Sequence, residues 1–259
     1  MSRINQPADR HILSLCLFGV FWLCFSVVTV CLNAVPCDDT AARYAPMAEA
    51  FAQGDLQNAF HPRFGIFFTG LAGSIVYLTG LDGFRGCQAA ALLLYFSAVF
   101  PVYWLACRVW GKKVAWYNVI LYLMCSHLLR LVWEGLRDSG KILGFMLMSY
   151  GIIVIAQECA KKRGYLALAA GGAVLTVIKG DGALMALLIF ILAFILEIRQ
   201  CRLKAWRTCA AVFLCLLAIS PQLIYNTYLL GYPVPEVRHA QLLKHMGIMP
   251  LKKAKVEYP

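Results

Sequence analysis

Three short stretches of this chain hold mixed-sign side chains at spacings suited to chemistry. The first carries Asp38, Asp39 and Arg43, followed by His61 and Arg63 in "FHPRFG". The second, "WEGLRDSGK", carries Glu134, Arg137, Asp138 and Lys141. The third, "IKGDG", carries Lys179 and Asp181. Carboxylates can take a proton from an attacking hydroxyl or amine, while arginine and lysine can hold a phosphate leaving group. A plainer reading pairs these charges with one another to hold helix ends together. On residue types alone both readings stand.

The elements that must position these clusters are apolar. Of 259 residues 61% are hydrophobic and 14% charged, against roughly 25% charged in a typical soluble domain. Mean hydropathy is +0.69. The chain therefore reads as an all-α polytopic membrane protein. Its net charge of +11 comes from 24 basic against 13 acidic residues. The basic residues lie in short runs between apolar segments, at 112–113, 161–163 and 199–207. That is the pattern of cytoplasmic loops facing membrane lipids, and it points away from a nucleic-acid partner. Many of the 11 cysteines lie in or beside apolar runs, where they serve as small hydrophobes. No metal-ligand spacing is present.

Apolar runs fall at 12–34, 65–80, 87–109, 114–133, 142–157, 165–178, 182–197 and 208–230. A straight crossing needs roughly 20 residues. About seven or eight transmembrane segments are expected, the first of them an uncleaved span with its N-terminus in the cytoplasm. Charge counting from the two ends of the chain disagrees by one crossing. The preferred repair makes 65–80 a short or re-entrant helix on the external side, with all three polar clusters on that face. The module then covers 1–235, with an external loop at 36–64, and 236–259 forms a basic tail.

The external loop has its own signal. Tyr44, Met47 and Phe51 recur at helical intervals, and Pro46 suits a first turn. A helix lying on the membrane surface is expected there, with Asp38 or Asp39 as its cap.

Taken in order, these stretches resemble a family. "CDD" at 37–39 ends the first span and "RYA" follows at 43–45. Next come "FHPRFGIFFTGLAGSIVYLTG" at 60–80, "LACRVWGKKVAWYNVILYLMCS" at 105–126 and "EGLRDSGKILGFML" at 134–147. "IKGDGALMALLIF" at 178–190 and "SPQLIYNTYLLGYPVP" at 220–235 complete the set. The series is similar to the membrane glycosyltransferases of the C-type fold, in particular the protein O-mannosyltransferase and lipid A aminoarabinose transferase superfamily. Arg63 stands where that family has a second proline. Family members are commonly much longer than this chain.

The resemblance implies a transferase that moves a sugar from a polyprenyl- or dolichyl-phosphate donor to a protein, lipid or glycan acceptor. It implies Asp39 or Asp38 as the acidic residue of the first loop, Asp39 being preferred, and Asp138 as the second. Arg43, His61, Arg63, Arg137, Lys141 and Lys179 would then face substrate or the lipid phosphate. Direct displacement would invert the anomeric carbon. Some C-type enzymes use a divalent metal, but the Asp38–Asp39 pair alone does not call for one, and no cofactor is expected. The expected setting is a bacterial or archaeal cell membrane, with the active face external or luminal. Two other readings compete. A non-catalytic subunit or a chain needing a protein partner fits the short length. A transporter would favour charges at mid-membrane and an internal repeat, and neither is evident.

Overall fold

The structure is a computed structural model, and it describes residues 7–32, 35–61, 64–158, 161–201, 206–230 and 233–234. Arg63 and the basic tail 236–259 lie outside the described residues. Every regular element among the described residues is helical. In chain order they are α1 (Pro7–Leu32), a π-helical turn (Thr40–Tyr44), α2 (Ala45–Ala52) and α3 (Leu56–Ala59). Then follow α4 (Phe67–Thr79), α5 (Gly83–Ser97), α6 (Val99–Trp110), α7 (Lys112–Met124) and α8 (Ser126–Trp133). The last four are α9 (Asp138–Gln157), α10 (Lys162–Ile178), α11 (Asp181–Cys201) and α12 (Trp206–Leu230).

Four helical units are long and apolar enough to cross a membrane: Gly83–Trp110, Asp138–Gln157, Asp181–Arg199 and Trp206–Leu229. A fifth is added if α7 and α8, bent by 49°, count as one span. The chain is thus an all-α, multi-pass membrane protein. Of the other apolar runs, α10 has 17 residues and α4 has 13. Thirteen residues reach only about 20 Å, short of a hydrocarbon core of about 30 Å.

Both ends of α4 return to the same end of the bundle. At its start, the Ile66 amide donates to Gln222 Oε1 of α12 at 2.7 Å. At its close, Gly80 takes the left-handed conformation (φ 71°) that ends a helix, and the chain turns into α5. The Gly83 amide there donates to Glu49 Oε1 of α2 at 2.9 Å.

The breaks inside spans have identifiable causes. Pro101 lacks an N–H and its ring crowds the carbonyl four residues earlier, which separates α5 from α6 at Ala98. In α12 the missing N–H of Pro221 is offset by Ser220, whose hydroxyl donates to the Leu217 carbonyl at 2.7 Å. Between α7 and α8, Cys125 is extended (ψ 99°), which frees the last carbonyls of α7. The Tyr95 hydroxyl donates to two of them, Leu123 at 2.9 Å and Tyr122 at 3.2 Å. Tyr122 in turn donates to the Tyr95 carbonyl at 2.9 Å, beside the α5–α6 break. The two rings stack with centroids 4.9 Å apart.

In lipid no water is at hand to satisfy such carbonyls, so the two tyrosines act as reciprocal caps. Tyr95→Phe and Tyr122→Phe should each cost about 1–3 kcal/mol, because each leaves a buried acceptor unpaired. Thermal unfolding in detergent, read as a double-mutant cycle, checks this. Additive effects would mean that the two caps are independent.

The external loop differs from the expectation in two ways. Tyr44 and Met47 are buried, but against protein and not lipid. Tyr44 meets Phe64 and Phe68 edge-on, and Phe51 fills the space over Gly73 of α4. The apolar face that suggested a surface helix covers α4 and α5, because those helices offer glycines where side chains can approach closely. Nor does an aspartate cap the loop helix. Asp39 precedes the π-helical turn without a capping hydrogen bond, because its carboxylate is taken by Arg43. Pro46 does lie in the first turn of α2.

Candidate functional site at the convergent helix ends

A framework of hydrogen bonds to backbone gathers the helix ends. The guanidinium of Arg85, one turn into α5, donates to the carbonyls of Val30 at 2.6 Å and Cys31 at 2.9 Å. These are carbonyls at the end of α1 that lack helical partners, and a cation suits them. Arg85 also donates to Gln88 Oε1, and Gln88 passes the link on to the Trp133 carbonyl at the end of α8. The Thr40 hydroxyl donates to the Glu134 carbonyl at 2.6 Å. The segment bearing Asp38 and Asp39 is thereby pinned to the α8–α9 turn, where Gly135 has φ 65°. Across the site, Tyr225 donates to the Phe60 carbonyl at 2.6 Å, and Asn226 donates to that of Val234 at 2.7 Å. Gln222, Tyr225 and Asn226 of α12 thus hold the loop containing His61 and the close of the chain's last motif.

Within this frame the charges form two adjoining groups. In the first, Asp39 and Arg43 pair at 2.6 Å with both side chains largely exposed, and the Arg43 guanidinium stands 5.2 Å over the Phe64 ring. Arg137 approaches from the α8–α9 turn and is 5% exposed. Its guanidinium lies 5.6 Å from the Tyr44 ring centre and 5.7 Å from that of Phe64, and it donates to the Phe64 carbonyl at 2.6 Å. Its Nε has no partner, and no described carboxylate pairs with it. The His61 ring lies 5.2 Å from that of Phe64.

The second group begins at the next residue. Asp138 accepts from Lys179 at 3.2 Å and lies 3.4 Å from Lys141, which also bonds Asp181 at 2.7 Å. Charges from α9, α10 and α11 alternate in sign along this chain.

Tyr44 joins the two groups. Burial pushes its hydroxyl up to about 12, the charges of Asp39 and Asp138 add to that rise, and Arg137 and Arg43 oppose it. Carboxylates almost 100 residues apart in sequence thus act on one side chain.

The structure therefore brings together Asp39, Arg43, His61, Arg137, Asp138, Lys141 and Lys179. Asp38 is nearby and exposed, with no ion pair to a described residue. Arg63 lies outside the described residues. Sequence reasoning quoted "RYA" without giving Tyr44 a role, and it missed Arg85 and Gln88 altogether. An arginine three residues after a helix-capping aspartate, Asp82, carries no local sign that it will reach another helix's end.

The other end of the bundle is different in kind. Glu158 is ringed by Arg108, Lys161 and Arg163 beside the basic run 161–163. Glu197 is fully buried and accepts from both the backbone and the hydroxyl of Thr208 at the start of α12. Basic runs thus gather opposite the mixed-sign clusters. Among the described residues, no three His, Cys, Asp or Glu side chains come together as they would to hold a metal ion. Comparison with protein-family models, with curated proteins and with solved structures finds no match, so the argument for function rests on the site itself.

Proposed function

We propose that this chain transfers a sugar from a polyprenyl- or dolichyl-phosphate donor to a hydroxyl or amine acceptor at the external or luminal face of a cell membrane. The observation that carries the reading is Arg137. A guanidinium 5% exposed, without a carboxylate on it, is costly to bury. Two aromatic faces and one carbonyl offset part of that cost, and an anionic phosphate would complete its coordination. Asp39 and Asp138 flank that position through Tyr44.

In this reading Asp39 takes the proton of the acceptor as its oxygen or nitrogen bonds to the anomeric carbon. The anomeric carbon–oxygen bond to phosphate breaks, its electron pair leaves with the phosphate, and the configuration inverts. Arg137, aided by Lys141 and Lys179, stabilises the departing charge. The prenyl chain stays in the bilayer. Seven crossings fit this reading, with α4 remaining on the active side and the basic runs in the cytoplasm.

A second reading, a non-catalytic or partner-dependent subunit, is favoured by one feature. Lys141 and Lys179 are already engaged by Asp138 and Asp181, as in a staple that simply joins α9, α10 and α11.

The deciding experiment is transfer from a radiolabelled polyprenyl-phosphate sugar pool in membranes expressing this chain, with Asp39→Asn and Asp138→Asn at matched levels. The expected result is product in wild type and about a hundredfold loss in Asp39→Asn, the scale of a general base. Asp39 is exposed, so its variant should fold normally. Absence of product from well-folded wild type would sink the enzyme reading in favour of the subunit.

A further inference from the structure

The Tyr44 side chain is built for more than packing. Its ring is enclosed by Phe64, Phe68 and the Arg137 guanidinium, and the residue is 3% exposed. Yet its hydroxyl forms no hydrogen bond with any described residue, and it is not among the polar atoms sealed away from solvent. A buried tyrosine ordinarily finds a partner for its hydroxyl, as Tyr95, Tyr122 and Tyr225 do here. Arg137 offers a second unspent donor, its Nε, from the group stacked on the same ring. Two unspent donors thus meet among fixed charges of both signs, at the point where four helix ends converge.

We propose that the Tyr44 hydroxyl is a ligand-binding donor: together with Arg137 it hydrogen-bonds the non-bridging oxygens of a phosphate carried on a membrane lipid. The role deepens the transferase reading and rests on it for the identity of the lipid. Phosphate oxygens are acceptors only, so the group opposite must keep its proton. With its hydroxyl pushed up to about 12, chiefly by burial, Tyr44 stays a donor throughout the physiological range. Asp39 and Asp138 are acceptors, unsuited to touching phosphate directly. The hydroxyl supplies a neutral donor between them and the anion, without adding positive charge that would bind the carboxylates instead.

Tyr44→Phe is the discriminating variant. It keeps the ring, its edge contacts and the stacked guanidinium, and removes one oxygen. Binding of undecaprenyl phosphate to the full chain in nanodiscs should weaken about tenfold, with an unchanged melting temperature, as for loss of one hydrogen bond to a charged group. Inorganic phosphate serves as a competitor. Competition with the same Tyr44 dependence supports a hydroxyl that reads the phosphate itself. Binding by the lipid alone, weakened in the variant, supports the role with the prenyl chain also required. Equal affinity in wild type and Tyr44→Phe would overturn the proposal and leave the transferase reading intact. Tyr44-dependent binding with no sugar transfer would support the proposal and remove that reading. If wild type binds neither probe, both are overturned.

Discussion

Replacing Arg137 by methionine should reduce sugar transfer by about two to three orders of magnitude and leave the fold close to wild-type stability. The two halves of this expectation come from the same fact. In the reaction proposed, Arg137 is the least solvated cation facing the departing phosphate, and removing one preorganised donor of this kind costs about 10²–10³ in rate. In the unliganded protein the same group is a buried charge with an unpartnered Nε. Its removal forfeits one bond to the Phe64 carbonyl and the contacts with two rings. It also relieves the cost of keeping a guanidinium out of water, a cost that often equals or exceeds such gains. Methionine is unbranched and can fill much of the same space. Stability should therefore stay within about 1 kcal/mol of wild type in either direction. Transfer and thermal unfolding, measured on one preparation, check both halves. Undiminished transfer would remove Arg137 from the site. A marked fall in melting temperature would assign its charge to holding the helix ends together.

The second large effect concerns stability. Gly171→Ala should destabilise the protein by about 3 kcal/mol or more, at the upper end of overpacking costs. A Cβ at Gly171 would lie 2.6 Å from the Gly144 carbonyl oxygen and 2.8 Å from the Met148 amide nitrogen, both backbone atoms of α9. Gly144 returns the contact, its own Cβ position lying 2.9 Å from the Gly171 carbonyl oxygen. Neither backbone can rotate out of the way as a side chain tip could, so the helices must separate. Close approach of this kind replaces the hydrophobic drive that water supplies to soluble helices and lipid does not. The damage should reach the site as well, because α9 begins with Asp138 and Lys141 and α10 leads directly into Lys179. Gly19→Ala is the control: nothing lies within 4 Å of its Cβ position, and alanine favours a helix. Melting temperatures in detergent compare the two. Equal tolerance at both positions would mean that α9 and α10 are less tightly joined than their backbones indicate.

The outline of the molecule was legible in the sequence. The apolar run at 165–178 became α10 at Lys162–Ile178, and 142–157 became the body of α9. Hydropathy averages over a few turns of one helix, so neighbours in sequence suffice to read it. Charge alternation between runs also put the three polar clusters at one end, where the structure has them, because loop charge follows from successive crossings.

Side-chain partners were another matter. Arg137 and Lys141 sit four residues apart and look alike in the sequence. One is buried between aromatic rings without a carboxylate, and the other bridges Asp138 and Asp181. The loop helix whose spacing suggested lipid lies on α4 and α5 instead. Nothing local marks the bend at Cys125, which has no proline or glycine beside it and is sustained by Tyr95 from another helix. Composition and local periodicity alone determined that this chain is a helical membrane protein with its mixed charges at one end. Which of those charges are paired, which is buried alone, and which hydroxyl is left unspent were decided only by tertiary packing. They depend on how closely glycine-lined helices approach and on which side chain of another element, remote in sequence, fills the space between.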